Sequence, residues 1–76
     1  MDKYSLDKLP LKENGYIIDL NAHDSLRRRM LDLGLVKNTK ITPLFISPSG
    51  DPRAYEVRGT IIAIRKQDAK LIEISK

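Results

Sequence analysis

The chain has 76 residues, with 14 basic and 10 acidic side chains, a formal charge of +4, 41% hydrophobic residues and no cysteine. That arithmetic describes one small domain spanning residues 1–76, with a soluble globular composition. Disulfides, thiolate metal sites, iron–sulfur clusters and cysteine nucleophiles are excluded, and the single histidine leaves no second imidazole for a zinc or copper site within one chain.

From Leu6 to Leu11 the apolar residues are irregularly spaced and Pro10 interrupts them, which predicts a docking arm leading into a turn. Asn14-Gly15 is a turn signal, with the glycine expected to supply a positive φ. Tyr16 to Leu20 is rich in β-branched and aromatic residues and predicts a strand. Asp24 is the expected N-cap of a helix over 24–33, on which Leu26, Met30 and Leu33 fall within about 60° of one another on a helical wheel. Gly34, just past the end, predicts a Schellman stop with Leu35 folded back on Met30. On this helix Arg29 lies near the apolar edge, where its guanidinium is expected to reach carbonyls or a carboxylate. Arg27 and Arg28 are then left for partners.

Strand periodicity takes over from Lys40 to Ile46, where Pro43 predicts an edge position or a bulge. Ser47 to Pro52 is dense turn chemistry. Ala54 to Arg58 alternates, with Tyr55 and Val57 the expected inward pair, and Gly59 makes a tight connection to a strand over 60–65. Lys66 to Ala69 suits a single helical turn, and Leu71 to Ile74 a closing strand. Five short strands punctuated by turns predict a mainly β protein, a compact barrel with one helix.

Catalysis has little to work with. His23 precedes the helix and reads as a surface residue, while Ser47 and Ser49 sit among turn formers without a nucleophile elbow. The four glycines stand too far apart for a phosphate-binding loop, and the carboxylates are scattered, Asp51 included. The expectation is a protein that is not an enzyme, with no cofactor and no metal site. Ile61-Ile62-Ala63-Ile64, the longest apolar run, is far short of the ~20 residues of a membrane helix. The charged N-terminus predicts a chain that is not exported. A +4 surface is drawn to nucleic acid, yet Arg27-Arg28-Arg29 is the one basic run and stacking aromatics are few.

Arg29-Met30-Leu31-Asp32-Leu33-Gly34-Leu35 resembles the Arg-Leu-x-x-Leu-Gly-Leu helix of the ferrous-iron transport protein A (FeoA) family. Lys40-Ile41-Thr42, the turn Pro48-Ser49-Gly50-Asp51-Pro52, and Val57 to Arg65 with Asp68-Ala69 and Ile72-Glu73-Ile74 are similar to that family's strands and its Pro-x-Gly-Asp-Pro loop. Leu9 and Gly15 also fall where the family places a leucine and a glycine, so the likeness runs from about Leu6 to Ile74. Lys37-Asn38 stands where the family has Pro-Gly, and asparagine tolerates the left-handed conformation such a turn needs.

The resemblance implies a five-stranded SH3-like barrel with an α-helix packed across it. It also implies a small cytoplasmic accessory of ferrous iron uptake, brought to the inner face of the cell membrane by its partner. That partner is the FeoB-type transporter, which carries a cytosolic GTP-binding domain. The family has no transport activity or established metal site of its own. The expected contact residues are Arg27 and Arg28 on the helix and Pro48, Gly50, Asp51 and Pro52 on the loop. The rival expectations are a small basic barrel binding nucleic acid and a weakly self-assembling scaffold.

Overall fold

In a computed structural model, which describes residues 3–76, β1 (Lys3–Ser5) runs into a 3-10 turn over Leu6–Lys8. There follow β2 (Gly15–Leu20), α1 (Asp24–Asp32), β3 (Lys40–Ile46), β4 (Arg53–Val57), β5 (Thr60–Ile64), α2 (Lys66–Ala69) and β6 (Ile72–Ser75). Among the described residues the strands form one antiparallel sheet in the order β1-β6-β2-β3-β4-β5. The sheet therefore has six strands rather than five, and its ladder is open at β1 and β5. The mainly β architecture with a helix across the sheet is as expected.

The extra strand, Lys3–Ser5, precedes the segment read as a docking arm, and that segment itself opens with the 3-10 turn. Leu6 and Leu9 are wholly buried, joining Ile17, Ile41, Tyr55, Ile72 and Ile74 in the core. The irregular apolar spacing of Leu6–Leu11 thus marks a 3-10 turn whose leucines dock into the core. Gly15 also differs from expectation. It is not among the positive-φ residues, and it opens β2 in a crowded interior. A Cβ there would stand 3.0 Å from Ile74 Cδ1 and 3.1 Å from Leu9 Cδ2, so the position favours glycine for space and a larger residue must displace those side chains. The left-handed turn residue of this loop is Lys12, at φ 72°.

Helix α1 stops as its sequence predicts. Gly34 takes φ 93°, its N–H bonds to the Leu31 carbonyl at 3.0 Å, and the Leu35 N–H bonds to the Met30 carbonyl at 3.0 Å. These are the two bonds of a Schellman motif, and Met30 and Leu35 are both buried. The N-terminus departs from expectation: His23 holds the cap position without a side-chain hydrogen bond, and Asp24 is already inside the helix at φ 54°. Leu33 is 46% exposed rather than inward, because the chain turns away at Gly34 before the last turn can lie on the sheet. Asn38 adopts φ 68°, the left-handed conformation expected of it, and its N–H bonds the Ile17 carbonyl at 2.7 Å.

Pro43 lies in an interior strand, at a bulge. The β3–β4 register shifts between Pro43 and Phe45, and the Pro43 carbonyl accepts from the Lys12 N–H at 2.7 Å. A missing donor is tolerated where the ladder is already interrupted. Tyr55 and Val57 point inward as predicted. Arg58 and Gly59 both have positive φ between the paired Val57 and Thr60, which makes the β4–β5 connection a two-residue type I′ hairpin.

Candidate partner-binding surfaces

The three arginines of α1 divide differently from the helical-wheel expectation. Arg27 Nη1 donates to the Leu20 carbonyl at 2.8 Å, tying the first turn of α1 to the end of β2. The Arg29 guanidinium makes no hydrogen bond or ion pair among the described residues and stands exposed, as does that of Arg28. The structural and the available arginine are thus exchanged. A wheel places side chains relative to Leu26, but it does not show that the last carbonyl of β2 lies beside the Arg27 flank.

The Ser47–Pro52 loop is a closed unit. The Ser47 N–H bonds the Pro52 carbonyl at 3.2 Å, the Gly50 N–H bonds the Ser47 carbonyl at 2.8 Å, and Ser49 Oγ donates to the Asp51 carbonyl at 2.9 Å. Gly50 takes φ 92°, the conformation that favours glycine, and the Asp51-Pro52 peptide bond is cis. Asp51 Oδ1 accepts from the Lys66 N–H at 2.8 Å, so this carboxylate caps the start of α2. Asp51 and Pro52 are half-buried, whereas Pro48 and Gly50 are exposed. Of the six expected contact residues, Arg28, Pro48 and Gly50 are exposed, Pro52 is half-buried, and Arg27 and Asp51 are engaged in holding the fold.

Two grooves lie elsewhere, and none of those six residues lines either. One, of about 420 Å³, is polar and is bounded by Asn38, Thr39, Lys40, Glu56, Arg58 and Gly59. The other, of about 620 Å³, runs between α1 and β5, with Leu26, Met30 and Leu33 on the helix side and Ala63, Ile64 and Arg65 on the strand side. Sequence reading missed the second groove because it grouped Leu33 with Leu26 and Met30 on one apolar helix face and left the strand over 60–65 without a neighbour. An available signal was that Thr60 to Ile64 is apolar on both faces, which leaves one face of an edge strand uncovered.

The strongest polar node is internal. Arg53 Nη1 and Nη2 donate to the Asp7 and Leu9 carbonyls at 2.8 and 2.6 Å, and its guanidinium sits 5.4 Å from the centroid of the Tyr55 ring. Burial pushes the Tyr55 phenol above its usual pKa, with Asp7 and Asp51 adding to the shift and the Arg53 charge opposing it. Tyr55 belongs to the core and lines neither groove. No group of three or more His, Cys, Asp or Glu side chains poised to hold a metal ion occurs among the described residues. No helix among them is long and apolar enough to cross a membrane.

Comparison with known proteins places this geometry. Residues 4–76 match the FeoA domain family. A Campylobacter jejuni chain described as an Fe(2+) transport protein A is 28% identical over 71 residues, covering 93% of this chain and 96% of that one. A Porphyromonas gingivalis protein, described as a fusion of Fe(2+) transport protein A with the Fe(2+) transporter FeoB, is 28% identical over 69 residues. That match covers 91% of this chain and 8% of the fusion. Among solved structures, the FeoA of Stenotrophomonas maltophilia, described as a prokaryotic SH3 domain protein and crystallised with zinc, superimposes with a TM-score of 0.78. It is 31% identical, over 93% of this chain and 88% of that one.

Proposed function

The chain belongs to the FeoA domain family, whose members are linked to ferrous iron transport, and from that premise we propose that it is a cytoplasmic accessory that docks on the cytosolic part of a FeoB-type transporter and shifts its GTPase or gating equilibrium. The family is a transport-associated domain.

The observation that carries the docking reading is the Porphyromonas gingivalis fusion, in which a relative of this chain and the transporter are one polypeptide. A tether holds a small domain near its partner at an effective concentration in the ~mM range, so weak contacts suffice. As a separate chain the domain must supply the affinity through its own surface. Its accessible surface is 4890 Å². A standard interface takes roughly 800 Å² from each partner, about a sixth of that area, so one face is enough. Arg28 on α1 offers an exposed charge, and Pro48 and Gly50 an exposed turn of fixed shape. Iron is the transporter's cargo in this scheme. The FeoA-type chain acts by binding one state of the transporter more tightly than another, and the shift it produces equals that difference in affinity.

The test is Fe(II) uptake in a strain lacking this chain, with and without the chain restored. Reduced uptake that the wild-type chain restores is the expected result. Uptake unchanged by the deletion overturns the accessory role.

A further inference from the structure

Strand β5 ends the sheet, and its outer edge is open. Thr60 pairs with Val57 across the two-residue hairpin, so Thr60, Ile62 and Ile64 exchange bonds with β4, while Ile61 and Ala63 turn their N–H and C=O groups outward. Among the described residues no hydrogen bond takes up those four outward groups. The opposite edge, β1, is blunted by its length of three residues. β5 has five, Thr60-Ile61-Ile62-Ala63-Ile64, with no charge, no proline and Ile61 59% exposed. Natural edges are usually protected by such devices, and a bare one is a template for pairing.

The groove against α1 meets this strand at its C-terminal end, at Ala63 and Ile64. Its lining includes the apolar Leu26, Met30 and Ala63 together with Arg29 and Arg65, neither of which pairs with a carboxylate among the described residues. Asp68 is the one carboxylate of the lining, so the groove is net cationic, like the chain as a whole at +4.

We propose that β5 and this groove together receive an extended segment of a partner protein in which an apolar residue is flanked by Asp or Glu. The segment adds a strand to β5 through the Ile61 and Ala63 backbone groups and sets alternate side chains into the groove. Its carboxylates meet Arg29 and Arg65. A second copy of this chain fits poorly: its own β5 carries no carboxylate and is flanked by Arg58, Arg65 and Lys66, so it brings only like charge to Arg29 and Arg65. The inference rests on the shape and charge of this face, not on which protein supplies the segment.

The test is an NMR titration of the intact labelled protein with two synthetic pentapeptides, acetyl-EVLVE-amide and its basic twin acetyl-KVLVK-amide. Saturable shifts centred on the Ile61 and Ala63 amides are expected from the acidic peptide, with the basic twin about tenfold weaker. Ala63→Pro removes an outward N–H and leaves the β4 ladder intact, so it should abolish binding. The double variant Arg29→Glu/Arg65→Glu keeps the strand and should reverse the preference. Shifts elsewhere, no shifts, equal binding of the twins, or an unaltered preference in the double variant overturn the proposal. So does concentration-dependent shifting of Ile61 and Ala63 without peptide, which makes a second copy the occupant. Because no transporter enters this experiment, its outcome is separable from that of the uptake assay.

Discussion

Arg53→Ala is expected to cost far more than any change on the arginine run of α1. The guanidinium bonds two main-chain carbonyls, at Asp7 and Leu9, and thereby pins the N-terminal segment across the end of β4. Hydrogen bonds involving a charged group contribute roughly 1.5–3 kcal/mol each, and Arg53 is only half-buried, so the lower figure applies to both. Together the two bonds come to about 3 kcal/mol, against a total stability of roughly 4–11 kcal/mol for a chain of this length. At about 4–8 °C per kcal/mol for a domain this small, Tm should fall by roughly 12–24 °C. Thermal and urea unfolding followed by circular dichroism measure it, with Arg28→Ala as a surface control expected within about 0.5 kcal/mol of wild type. Faster amide exchange at Leu9, whose N–H bonds the Leu6 carbonyl at 3.1 Å, should accompany the loss. If Arg53→Ala and Arg28→Ala unfold together, the pinning role is refuted.

Further outcomes follow from the same geometry. Gly15→Ala should lower stability by about 1–3 kcal/mol in urea melts, since its Cβ meets Ile74 and Leu9 in a filled core. Arg27→Ala should lower stability by about 1 kcal/mol through the lost bond to Leu20, while Arg29→Ala stays within about 0.5 kcal/mol; the reverse order would contradict the exchanged roles. The raised Tyr55 pKa means that the folded state holds its proton more tightly than the unfolded state. Stability is therefore full below about pH 10 and is lost as pH rises through the higher folded value. Tyr55→Phe should remove the Tyr55 share of that loss. At neutral pH it should change stability by less than about 1 kcal/mol, because the buried hydroxyl has no hydrogen-bond partner among the described residues.

Local chemistry was readable where a short stretch fixes its own geometry. The Schellman stop at Gly34, the left-handed Asn38, the α2 turn and the inward pair Tyr55 and Val57 all follow from neighbouring residues. What failed depends on partners distant in sequence. Nothing near Leu6 shows that β6 supplies a strand for Lys3–Ser5 to pair with, and nothing near Gly15 shows that Ile74 and Leu9 crowd it. Likewise the assignment of Arg27 and Arg29 turned on where the Leu20 carbonyl lies, and that of Asp51 on the arrival of Lys66. The family likeness was legible in motifs spread along the chain, whereas the open β5 edge becomes visible only with the strand order.

Docking on the transporter is tested most directly by titrating the labelled chain with the purified cytosolic GTP-binding domain of a FeoB-type transporter, with and without nucleotide. The account predicts saturable amide shifts confined to one region, at Arg28, at the Pro48–Gly50 turn or along β5, and a different affinity in the two nucleotide conditions. An unchanged spectrum up to about millimolar domain, a concentration that would reveal binding as weak as ~4 kcal/mol, would contradict it.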